Sequence, residues 1–206
     1  MKYFKASFVS FLLLIFSVTA FGDSPLTSTN FAAAYTDQPM VVAASKTQGY
    51  INNYIMDYLT SDKNPIDVKM AIINEFGWKI SGKNNSQAFM KYLIEKRGYA
   101  DKNEFLKSGE ADELLSMAYI TALDDYFNVD DAIVFAEQAL KKNPESRTFN
   151  LIAGLIKAQK SMDGDWCEVY TITDNIKKNS GLKNDIKPEA VKIIYEYMDI
   201  YAEYCK

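Results

Sequence analysis

The 206-residue chain contains no histidine. That absence removes the commonest general base, the hydroxyl–imidazole and thiol–imidazole nucleophile pairs, and the usual nitrogen ligand of zinc. Basic blocks are missing too. Lys and Arg total 23 against 27 Asp and Glu, for a formal net charge of -4, which argues against nucleic acid and anionic membrane surfaces as partners. Few stretches alternate apolar and polar residues strictly, so strands are not expected. No apolar run reaches the roughly 20 residues of a membrane-spanning helix. Carboxylate, tyrosine or lysine chemistry stays open, but the balance shifts toward binding.

The longest apolar run, Phe8 to Val18, is short and follows Lys2 and Lys5. Small residues suited to peptidase cleavage come next, at Val18-Thr19-Ala20 or Ala20-Phe21-Gly22. Residues 1–22 therefore read as an export signal, and the mature chain as periplasmic or secreted. No cysteine follows the run, so no lipid anchor is indicated, and no membrane anchor is expected after cleavage. Losing Lys2 and Lys5 takes the net charge from -4 to -6. Residues 23–206 suit a single domain, with 23–38, rich in Ser, Thr and Ala, as a flexible lead-in. The cysteines, Cys167 and Cys205, form an even pair in an oxidising compartment and are expected to make a disulfide. A loop of that length is worth roughly 3–4 kcal/mol in the chain-entropy model.

Helical periodicity runs through the mature chain. Val42, Tyr50, Ile51, Tyr54, Ile55, Tyr58 and Leu59 form an apolar stripe at three- and four-residue spacing. Pro65 suits a first helical turn ahead of Val68, Ile72, Ile73 and Phe76. Ser86 or Asn85 is expected to cap a third helix whose buried face is Ala88, Phe89, Tyr92 and Leu93, with Gly98 ending it. Helices follow over 112–126, 132–142, 145–160 and 165–178. A last one begins at Pro188, with Val191, Ile194, Tyr195, Met198, Ala202 and Cys205 on one face. The fold class is all-α: antiparallel helical hairpins, stacked as a short array or an irregular bundle.

The stretch 111–159 is the most informative. Ala132, Ala136, Ala139, Leu140 and Pro144, then Gly154, place small residues where two helices could approach closely, and Pro144 ends the second of them. Second helices near Ala132 and Trp166 are 34 positions apart, a common solenoid period. In these residues the stretch resembles a tetratricopeptide repeat: Ala132, Ala139 and Pro144 match its small, small and proline positions, and Gly154 the small residue of the next first helix. Tyr119 and Ile120 stand where the leucine–glycine pair would sit, and Ala136 replaces an aromatic. The resemblance covers about one repeat and implies a helical scaffold that binds a peptide or protein.

Three features bear on chemistry. The acidic turn Asp124-Asp125-Tyr126-Phe127-Asn128-Val129-Asp130-Asp131 clusters oxygens but lacks the central glycine of an EF-hand loop and has Phe135 where its bidentate acid should be. Helix capping by Asn128 or Asp130 explains it more simply, and no metal site is expected. Glu145-Ser146 is similar to the glutamate–serine motif of lytic transglycosylases, yet the downstream spacing is too short and Gln159 is displaced. A first-turn acid after Pro144 is expected for helix reasons alone. Tyr195, Tyr197, Tyr201 and Tyr204 crowd the last helix over more than one face, which makes it a candidate interface.

The reading that results is an exported, soluble, non-catalytic helical protein that mediates protein–protein interaction and needs no cofactor. Contacts are expected from Tyr119, Asp124, Asn150 and Lys157 on a concave surface of first helices, and from Tyr197 and Tyr201. An alternative is a periplasmic immunity or inhibitor protein directed at a cell-wall hydrolase. A third is a histidine-free cell-wall enzyme acting through Glu145 or the acidic turn.

Overall fold

The structure, a computed structural model, describes residues 24–206; the expected export signal lies outside the described residues. Ten α-helices are present there: α1 (Pro39–Ser45), α2 (Asn53–Thr60), α3 (Ile66–Phe76), α4 (Asn85–Arg97), α5 (Lys102–Ser108), α6 (Ala111–Asp124), α7 (Asp130–Lys142), α8 (Arg147–Ser161), α9 (Trp166–Lys178) and α10 (Pro188–Met198). Short 3-10 turns cover Phe31–Tyr35, Gly77–Ile80 and Asp199–Tyr204. No strand occurs among the described residues, and an isolated bridge joins Ser146 to Lys183. The fold is all-α.

Local chemistry sets the helix ends. Asn52, Asp101, Ser146 and Asp165 each accept a first-turn backbone N–H through the side chain, which satisfies donors the helix cannot pair itself. Pro39 and Pro188 open α1 and α10, and Gly98 ends α4 in the left-handed conformation. α4 has no side-chain cap of its own, contrary to the expectation for Asn85 or Ser86. Asp124, from the far end of α6, instead accepts the Ser86 N–H at 2.6 Å. Asn85 is spent elsewhere. It is buried, accepts the Ile51 N–H at 3.0 Å and donates to the Gly49 carbonyl at 2.8 Å.

The centre of the molecule is α6, buried along nearly its whole length from Glu113 to Leu123. α7 packs on it, α8 packs on both, and α9 packs on α8. The small residues of the 111–159 stretch do what their size suggests. Ala132, Ala136 and Ala139 are buried, and a Cβ added at Gly154 would stand 2.7 Å from Ile176 Cδ1 of α9. α3 covers the side that α6 and α8 share, since it packs against both.

The expected stripe over 42–59 is split between α1 and α2, with Val42, Tyr50 and Tyr54 exposed, and two further segments depart from expectation. The lead-in is docked: Leu26, Phe31, Ala32 and Tyr35 are fully buried, within one hydrophobic cluster that extends to Tyr201. Composition misled because Leu26, Phe31 and Tyr35 anchor the segment and its small residues Thr29 and Ala32 are buried with them. Asn74 of α3 completes the docking, donating to the Thr29 carbonyl (3.0 Å) and the Tyr119 hydroxyl (2.8 Å) and accepting the Ala32 N–H (2.8 Å). Near the C-terminus, α10 gives way to a 3-10 turn after Met198. The tighter period buries Tyr201, three residues on, and leaves Ala202 and Cys205 exposed.

Candidate functional site

The residues expected to form a concave surface do not converge. Tyr119 is fully buried and hydrogen-bonded to Asn74, because α3 covers the face that was expected to be open. Burial raises its phenol pKa above the ordinary 10.0. Asp124 anchors α4 through Ser86 and accepts the Gly82 N–H at its backbone carbonyl. Asn150 ties the start of α8 by donating to the Pro144 and Ser146 carbonyls at 2.9 and 2.7 Å. Lys157 pairs with Glu137 of α7 at 3.0 Å on the surface. Tyr197 is half-buried and Tyr201 is 1% exposed, their hydroxyls 2.7 Å apart. Cys167 and Cys205 form a disulfide.

The groups considered for catalysis also separate. Glu145 is exposed and pairs with Lys183 at 2.7 Å, and that lysine holds its carboxyl below the ordinary value. A general acid needs the reverse shift. In the acidic turn Asp124 is taken by α4, Asp130 by Lys160 at 3.0 Å and Asp131 by Lys102 at 2.6 Å. Among the described residues no three acidic or cysteine side chains converge as metal ligands.

Of the cavities built from residues distant in sequence, two adjoin α4 and α6 together. The larger, about 660 Å³, lies where the end of α2, α3, the end of α4 and the start of α6 meet. Its cations are each answered from within. Lys69, 1% exposed, reaches Asp112 at 2.6 Å; Lys96 reaches Asp57 at 3.1 Å; Arg97 donates to Glu113, itself 1% exposed, at 2.7 Å. Arg97 also donates to the Thr60 carbonyl at 2.8 Å, tying the end of α2 to α4 and α6. The Tyr92 hydroxyl and Lys96 hold the Asp57 carboxyl low, so the Asp57–Lys96 pair stays ionised. These contacts hold helices together and leave no uncompensated positive charge among the three cations to attract an anionic ligand.

The other cavity, about 520 Å³, is a groove between α4, α6 and α7. Met117 and Phe135 form its buried floor, and Met90 and Ile94 its half-exposed wall. The rim is polar and internally paired: Lys102 with Asp131, and Lys91 with Glu95 at 3.8 Å. The Thr121 hydroxyl lines the groove, buried and with no hydrogen-bond partner. An apolar floor, a neutralised polar rim and two flexible methionines suit an apolar segment of another protein. Sequence reasoning missed this groove. The signal was present in α4, whose apolar positions 89, 90, 93 and 94 make a stripe wider than the buried pair Phe89 and Leu93 uses.

No protein-family model, curated protein or solved structure matches the chain. Among the described residues no helix is long and apolar enough to cross a membrane.

Proposed function

We propose that the protein is an exported, non-catalytic helical scaffold that binds an apolar segment of a protein partner in the groove between α4, α6 and α7. The observation that carries this reading is the groove's composition: Met90, Ile94, Met117 and Phe135 beneath a rim whose charges are already paired. An amphipathic helix laid there buries its apolar face without stranding a charge. Export fits the Cys167–Cys205 disulfide, which persists in oxidising compartments. The tetratricopeptide-like reading fits the packing order of α6 to α9, in which each helix packs on the next and α6 also packs on α8.

Affinity capture from periplasmic extract, with wild-type protein and Met90→Glu as parallel baits, tests the proposal. Met90 is half-exposed, so the variant is expected to fold with an unchanged melting temperature. A stoichiometric partner retained by wild type and lost by Met90→Glu is the expected result. A partner retained equally by both baits would move the interface elsewhere, and no partner for a folded bait would sink the binding reading.

A further inference from the structure

An aromatic corner stands where the start of α9 meets the closing 3-10 turn. Trp166, the first residue of α9, and Tyr204, the last of the closing 3-10 turn, meet edge to face with ring centroids 5.0 Å apart and planes inclined by 62°. They are 39% and 47% exposed, although Tyr201 beside them, 1% exposed, shows that this region can bury a ring. The Cys167–Cys205 disulfide links the residues next in sequence to both rings, so the two walls are tied covalently. Beside the two rings lies an open pocket of about 490 Å³ lined by Gly164, Asp165, Trp166, Cys167 and Tyr204.

The charge of the pocket decides what fits. Asp165 supplies its one carboxylate. Oδ1 of that group caps α9 by accepting the Glu168 N–H at 3.0 Å, and Oδ2 makes no hydrogen bond among the described residues. Elsewhere the chain covers ring faces with its own lysines: Lys83 over Tyr50, Lys102 over Phe135 and Lys187 over Tyr35. Among the described residues no cation lies over Trp166 or Tyr204. The start of α9 carries roughly half a positive charge, which Asp165 and Glu168 in and before the first turn outweigh. A neutral apolar ligand would cover Asp165 and leave its charge unanswered. Two angled ring faces with a carboxylate and no resident cation form a partial cage for a cation with an apolar shell. We propose that this corner binds a quaternary or methylated ammonium group, the chemistry shared by free choline-type solutes and choline lipid headgroups.

The full mature protein, disulfide intact, is titrated with tetramethylammonium chloride while both tryptophan indole N–H resonances are followed by NMR. Trp78, which meets Tyr126 edge to face, is the internal control. The expected result is a saturable shift of the Trp166 resonance in the millimolar range, with Trp78 still and with tert-butanol, the uncharged analogue, giving no comparable shift. Asp165→Asn keeps a good helix cap and removes only the charge, and is expected to weaken binding about two- to fivefold. Trp166→Leu, with its melting temperature measured alongside, is expected to weaken binding about fivefold or more by calorimetry. Co-sedimentation with phosphatidylcholine vesicles would assign the lipid headgroup as the source, and tetramethylammonium binding without co-sedimentation a free solute. An equal response to tert-butanol, an equal response of both indoles, or no response at about 100 mM salt-matched ligand would overturn the proposal.

Discussion

The α6–α9 region and the segment from Ser24 to Ile51 share one hydrophobic cluster but are fastened by opposite means. α6 to α9 interlock through size. Ala132, Ala136, Ala139 and Gly154 let neighbouring helices approach, and their backbone hydrogen bonds are made within each helix. The earlier segment is regular only in α1 and one 3-10 turn, so some backbone groups on either side of them need partners from outside. Two buried asparagines supply them: Asn74 holds Thr29 and Ala32, and Asn85 holds Gly49 and Ile51. Gly49 adds a steric condition, because at φ +84° a Cβ there would lie 2.1 Å from the Lys79 carbonyl oxygen. Irregular chain is therefore buried here at the cost of polar side chains placed far away in sequence.

The largest expected effect tests the asparagine side of that contrast. Asn74→Ala leaves the Ala32 N–H, the Thr29 carbonyl and the Tyr119 hydroxyl without their partner inside the core. It is expected to cost about 3–4 kcal/mol in urea unfolding. Limited proteolysis of the variant under native conditions should then cut within 24–38 before any site in α6 to α9. Simultaneous cutting in both regions would show that they unfold as one unit and that the contrast is geometric only.

A smaller effect is expected on the apolar side. Gly154→Ala places a methyl 2.7 Å from Ile176 Cδ1, the movable end of its side chain. The overlap is partly offset by the better helix propensity of alanine, for a net loss of about 1 kcal/mol. Ile176→Val removes the offending methyl, so the double variant is expected to recover most of that loss. A double variant no more stable than Gly154→Ala would mean that the α8–α9 contact is limited by something other than size.

The same contrast explains what was legible in the sequence. Helix positions in 111–178 followed from apolar spacing, small residues and turn signals that lie within a few residues of the elements they govern. Pairing of the two cysteines followed from their even number together with the export expected of residues 1–22. The docked lead-in was not legible, because nothing local marks Asn74 or Asn85 as partners of a chain some forty residues earlier. Tyr119 was misplaced for a related reason: its helix was read with its following hairpin alone, and α3, from well before it, covers the face that was left open. The groove needs α4, α6 and α7 together, and one helix showed only a surplus of apolar positions. Local signals reached the elements, and assembly decided the surfaces.

The last expected effect is a pH dependence at the contact where Asn74 and the docked segment meet Tyr119 of α6. The Tyr119 phenol lies beside Asn74 and the Leu26 carbonyl, and burial raises its pKa above 10.0, the value it resumes in the unfolded chain. The folded protein thus keeps a proton that the unfolded chain releases above about pH 10. The stability this contributes is complete below that pH and declines as pH rises further, by at most about 1.4 kcal/mol per pH unit. Exposed lysines whose pKa is raised by acidic partners, such as Lys177 and Lys183, add to the decline in wild type. Tyr119→Phe leaves those lysines in place and removes the phenol alone. Urea unfolding of both proteins at pH 8 and pH 11 should therefore show wild type losing about 1 kcal/mol more than the variant over that interval. Equal losses would mean that alkali opens the segment from Ser24 to Ile51 before Tyr119 titrates, and the two regions would then differ in cooperativity as well as in fastening.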